Sequence, residues 1–145
     1  MIEIRRLEIE LKNFKLKTED ISLTNGEKVL LAARNNIGKS IFLLGLTRLV
    51  RTKVRDIYFD NKHCKENQWQ QHTGVYHDQT SLVPFLTPSE LFRMTGEIKG
   101  MPNEFIHKEV SKYSEYLYFP KNTTKFINEL SLGTQKKVGL IASLL

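Results

Sequence analysis

The chain is poor in cysteine, in long apolar runs and, towards one end, in acid. Cys64 is the single cysteine among 145 residues, so no internal disulfide can form and a reducing compartment is expected. No window stays apolar over the ~20 residues that a membrane-spanning helix needs. The opening MIEIRRLEIELK is charged and alternating, so neither a signal peptide nor a transmembrane anchor is expected. No Asp or Glu follows Glu129. Internal repeats, low-complexity tracts and flexible linkers are also missing. The remaining composition, 40% hydrophobic and 26% charged, is that of one ordinary globular domain. A net charge of +6 admits an anionic partner. The lysines are spread through nearly every segment, which favours one phosphate site over a nucleic-acid face.

Against that background one stretch stands out, NGEKVLLAARNNIGKSIFLLGLTRLV from Asn25 to Val50. The Asn25-Gly26 turn leads into the apolar run Val29 to Ala33, which reads as a buried strand. A polar loop follows, Arg34-Asn35-Asn36-Ile37-Gly38, then Lys39-Ser40 and an apolar helix expected from Ile41 to Val50. Strand, loop ending Gly-Lys-Ser, helix is the layout of a Walker A phosphate loop. Loop N–H groups and a helix N-terminus together favour an anion at one place. Lys39 can reach outer phosphates and the Ser40 hydroxyl can hold Mg²⁺. The pattern places glycine where this chain has Ala33. A left-handed backbone at that position predicts strain or a differently shaped loop.

Before the loop, Ile2 and Ile4 and then Leu7, Ile9 and Leu11 alternate with charged residues. The phase slips at Arg5-Arg6, which predicts a bulge. Phe14, Leu16, Ile21 and Leu23 extend a small antiparallel region. Ile57 to Asp60 and Thr73 to Tyr76 are further strand candidates, with a polar helix or loop between them. Thr87-Pro88-Ser89-Glu90 carries a capping-box start signal, and Gly100 and Pro102 stop that helix. Asn103 is expected to cap a second helix, with Ile106, Val110, Tyr113 and Leu117 on its apolar face. Pro120 ends it. Ser131 precedes a last apolar helix, Val138 to Leu145. His63, Cys64, His72 and His77 are too irregularly spaced to predict a metal site, and Trp69 is expected to be a packing anchor.

Two later stretches give the loop its context. Gly74 to Asp78 leads to Gln79, 40 positions after Lys39, and Leu130-Ser131-Leu132-Gly133-Thr134-Gln135 opens the last helix. In this order the chain resembles the ATP-binding cassette of ABC transporters over essentially its whole length. The resemblance implies an α/β P-loop NTPase fold of the ABC type. That fold has a β subdomain and a helical subdomain at about residues 85–125. It further implies ATP and Mg²⁺ as cofactors, with nucleotide contacts from Arg34, Asn35, Asn36, Ile37, Gly38, Lys39 and Ser40. Gln79 matches the Q-loop glutamine that reaches Mg²⁺ beside Ser40. Ser131, Leu132, Gly133, Thr134 and Gln135 match the signature that binds the γ-phosphate held by an opposite cassette. Simple N-capping is the other reading of Ser131. Phe14 corresponds to the aromatic that stacks on adenine, or is a strand core residue.

The chain also departs from the family pattern. Ala33, Ile37 and Ile41 replace a glycine, a small residue and a hydroxyl residue, while Leu132 and Thr134 replace glycine and glutamine. The family places a Walker B Asp and Glu and a switch His after the signature helix, and this chain reaches Leu145 first. The C-terminal portion of the cassette is therefore expected to be absent, and hydrolysis by the chain alone is not expected. By resemblance the partners are a transmembrane transporter subunit and a second cassette, in a homo- or heterodimer, with no nucleic acid. The place implied is the cytoplasm, peripheral on the inner face of the cell membrane. Two alternatives are a non-catalytic interaction module derived from a cassette and a soluble ABC-type ATPase acting on nucleic acid or ribosomes.

Overall fold

The alternation of the first ten residues becomes β1 (Ile2–Leu11), which turns back into β2 (Phe14–Leu23). The computed structural model describes residues 1–65, 69–78, 82–120 and 123–145. With β3 (Val54–Phe59) and β4 (Lys62–His63) these strands form a four-stranded antiparallel sheet in the order β2-β1-β3-β4. The phase slip at Arg5-Arg6 is a bulge. Ile4 pairs with Ile57 and Arg6 with Asp56, so Arg5 has no opposite number on β3. The extra residue lets Ile4 and Leu7 both point inward although they are three apart. Ile4, Leu7, Ile9 and Ile57 are fully buried, each contributing about 1.5–3 kcal/mol of burial. Trp69 stacks flat on Phe59, ring centroids 4.7 Å apart.

Helix α1 (Lys39–Leu46) lays Ile41, Phe42 and Leu46 against this core. It is shorter than the expected Ile41–Val50 helix, because its C-terminus closes in a Schellman motif. The Leu49 N–H donates to the Leu44 carbonyl at 2.8 Å and the Arg48 N–H to that of Gly45 at 3.3 Å. The left-handed position of that motif normally carries glycine. Here Arg48 occupies it with φ 65°, at a cost of roughly 1–2 kcal/mol.

The expected strand Val29–Ala33 is not formed. Residues 27–34 have no regular structure, and Leu30 is 87% exposed. An apolar run becomes a strand only when neighbours satisfy its backbone, and the four described strands pair among themselves without it. Thr73–Tyr76 is likewise no strand. This stretch instead lies against a helix: a Cβ on Gly74 would strike the Ser143 carbonyl, and one on Gly139 the Tyr76 ring.

The chain divides into two units, Met1–Trp69 and Gln70–Leu145. The second is helical. Thr87 caps α2 (Pro88–Ile98), accepting from the Glu90 N–H, while the Glu90 carboxylate accepts from the Thr87 N–H at 2.8 Å. Pro102, and not Asn103, is the N-cap of α3 (Asn103–Tyr116); Asn103 is the first helical residue. Gly96 lets α2 approach Ile106 of α3 closely. α4 (Leu132–Leu144) starts six residues before the expected Val138, and its Val138 and Ile141 are buried with Leu91, Phe92, Phe119 and Ile127.

Candidate functional site

The phosphate loop takes its shape from two left-handed residues, Asn36 at φ 64° and Gly38 at φ 104°. Asparagine tolerates that region better than most residues, and glycine adopts it freely. Ala33 is not among the positive-φ residues. The left-handed strain that alanine in place of glycine would bring is therefore not there. Gly38 is the N-cap of α1 and has no side chain to offer, and no acidic residue lies in the first helical turn. The helix thus begins with amide groups uncapped by any side chain, in a loop carrying Arg34 and Lys39 and no carboxylate, a setting that favours an anion.

Lys39 is held over this loop. Its Nζ donates to the carbonyls of Ala33 and Arg34, both at 2.8 Å. Two such bonds fix a long side chain and leave the third ammonium proton for another acceptor. Phe14, at the start of β2, presses its ring on Gly38 so closely that a Cβ there would overlap it. Phe14, Asn35, Asn36, Gly38, Lys39, Ser40 and Ile41 line an open depression of about 570 Å³. Arg34 and Ile37 are exposed beside it, Ile37 at 57%. Phe14 thus packs on the loop and is not one of the buried strand-core residues. Ile41, noted in the sequence only as a departure, is also part of the lining.

In the second unit Ser131 is the N-cap of α4. Its Oγ accepts from the Thr134 N–H at 3.3 Å and shares a hydrogen bond of 2.8 Å with the Thr134 hydroxyl. Gln135 Nε2 donates to the Leu130 carbonyl at 2.9 Å. Leu132 is 63% exposed, and a Cβ on Gly133 would meet nothing. Ser131 to Gln135, the residues expected to form the signature, make a self-capped, open helix start. Gln79 lies outside the described residues. No described helix is long and apolar enough to cross a membrane.

A lysine curled over a glycine-containing loop at an uncapped helix start defines a nucleotide-binding domain of the P-loop class. The family model described as "ABC transporter" matches residues 16–145, and the chain belongs to that family. It is similar to the sn-glycerol-3-phosphate import ATP-binding protein of Yersinia enterocolitica, with 24% identity over 86% of this chain and 35% of that protein. It is also similar to the ABC transporter ATP-binding protein YtrE of Bacillus subtilis, 26% identical over 90% of this chain and 59% of that one. Thus the chain spans about a third to three-fifths of the length of these curated relatives. Among solved structures, the dimeric bacterial ABC transporter cassette MJ0796 superposes with a TM-score of 0.80 at 21% identity, over 99% of this chain and 69% of that one. The cbiO1 protein of Clostridium perfringens, part of an ABC transporter complex, gives 0.73 at 19%, covering 99% and 60%. The fold is that of the ABC cassettes, and the region matched is 60–69% of these two solved chains.

Proposed function

We propose that the chain is the nucleotide-binding part of an ABC transporter ATPase. In this reading ATP lies with its phosphates on the loop from Arg34 to Ser40. Lys39 meets the outer phosphates, and the Ser40 hydroxyl and the Gln79 amide serve Mg²⁺. The observation that carries it is the Lys39 ammonium, fixed by the Ala33 and Arg34 carbonyls above a loop without carboxylates. A fixed cation at an uncapped helix start suits a triphosphate. Residues 85–125 act as the helical subdomain, and Ser131 to Gln135 face the nucleotide of a second cassette, with a membrane subunit as the further partner. The place is the cytoplasmic face of the membrane. A relative of the same fold is recorded in a post-hydrolysis state bound to ADP and Pi. Mg-ATP bound at the Arg34–Ser40 loop would supply a phosphoanhydride whose cleavage could drive transport in a complete assembly. In this reading the residues of the loop bind and orient it.

Calorimetric titration of Mg-ATP into the chain and into Lys39→Ala tests the site. Loss of the lysine weakens binding by roughly 1.5–3 kcal/mol, the scale of a charged hydrogen bond. Equal affinities would place the nucleotide elsewhere.

A further inference from the structure

At the C-terminal end of α1, away from the phosphate loop, the first unit holds a second cavity of about 410 Å³. Arg48, Arg51, Thr52, Arg55, Cys64 and Lys65 line it with two apolar neighbours, and no described residue in its wall is acidic. It shares no lining residue with the depression at the phosphate loop. We propose that this cavity is a binding site for a phosphate-bearing anion, separate from the nucleotide loop.

Four cations line the cavity, and no acidic residue among the described ones lies in its wall. On the neighbouring strand β1, Glu10 is engaged with Lys15 at 2.6 Å and Lys53 at 3.3 Å, and Glu8 with Arg6 at 2.6 Å. Arg48, Arg51 and Lys65 form no side-chain ion pair among the described residues. Arg55 is held in place but left incomplete. Its Nη2 donates to the Leu46 carbonyl at 2.9 Å and its guanidinium lies 4.9 Å over the Trp69 ring, yet its buried Nε has no acceptor among the described residues. Burial lowers the Arg55 pKa; nearby Cys64 works against this, and Arg48 adds to the lowering. Arg48 sits where the Schellman motif calls for glycine. Backbone strain kept for a cation at the mouth of a basic cavity points to a use for the charge.

The competing account is that these arginines only complement the negative end of α1, and the two accounts predict opposite behaviour for Arg48→Gly. The substitution relieves the left-handed backbone, so it raises the melting temperature. If the cavity binds anions, it also weakens them about tenfold, as expected for a lost charge-assisted bond. The probe is pyrophosphate, titrated into the full chain carrying Lys39→Ala so that the phosphate loop contributes little. A second arm floats the same protein with phosphatidylcholine vesicles, with and without phosphatidic acid. Arg51→Gln is the second variant and leaves the Schellman backbone untouched. Binding of pyrophosphate that falls in both variants supports a soluble phosphate ligand. Binding only to phosphatidic acid vesicles that falls in both supports a lipid headgroup. No binding of either probe, binding unchanged in both variants, or a lowered melting temperature for Arg48→Gly would overturn the proposal.

Discussion

Gly38→Ala is the sharpest perturbation of the phosphate loop, because it combines two costs that can be measured apart. The first is conformational. Gly38 has φ 104° and ψ 15°, and holding an L-residue near the left-handed region costs roughly 1–2 kcal/mol. The second is steric. A Cβ on Gly38 overlaps the Phe14 ring, with a further ring atom at 3.0 Å, so the ring must swing away from the loop. Phe14 is only half-buried, and giving up part of its contact costs on the order of 1 kcal/mol. The single variant is expected to lose about 2–3 kcal/mol in urea unfolding. In the Phe14→Ala background the steric part disappears, and Gly38→Ala then costs only its conformational part of about 1–2 kcal/mol. Nucleotide affinity falls in both backgrounds, because an alanine strained at this position aims the loop amides less well in both. A single-variant loss below about 0.5 kcal/mol, the level of an ordinary surface substitution, would refute the loop geometry and the packing of Phe14 on it.

Restoring the family glycine at Ala33 gains nothing. Ala33 is not in the left-handed region, so Ala33→Gly adds only unfolded-state entropy. Stability falls by about 0.4–1 kcal/mol, and calorimetry is expected to show no tighter nucleotide binding. In the helical unit the Thr87–Glu90 capping box sets an acid dependence. The Thr87 N–H and hydroxyl hold the Glu90 carboxyl below its ordinary value of 4.5. A depressed carboxyl stabilises the fold above its unfolded pKa, and that contribution is lost as pH falls through the lower folded value. Melting temperatures from neutral pH to below 4.5 therefore drop less for Glu90→Gln than for the unaltered chain, and parallel curves would contradict the cap's role.

What could be read from the sequence was local. The Arg5-Arg6 bulge, the Thr87 capping box and the Ser131 N-cap each depend on residues within a few positions, and each is in the structure. The failures depended on partners far along the chain. Val29 to Ala33 has the composition of a doubly buried strand, but composition cannot supply the neighbours that make a ladder. Thr73 to Tyr76 reads as a strand by residue type, yet Gly74 and Gly139 let it lie against α4. The early end of α1 was hidden because Arg48 takes a backbone role that sequence rules assign to glycine. At the candidate site the loop residues were legible from the Gly-Lys-Ser motif. The contact of Phe14 with Gly38 was not, because 24 residues separate them and only the turn of β2 brings them together.

The central claim is that nucleotide phosphates rest on the loop from Arg34 to Ser40, and amide resonances of the ¹⁵N-labelled chain titrated with Mg-ATP test it most directly. The account predicts the largest shifts at Gly38, Lys39, Ser40 and Ile41, where uncapped helix amides meet the phosphates, with loss of those shifts in Lys39→Ala. No shifts at Gly38 to Ile41, with or without a response at Arg48 to Arg55, or a loop response unchanged in Lys39→Ala, would contradict it.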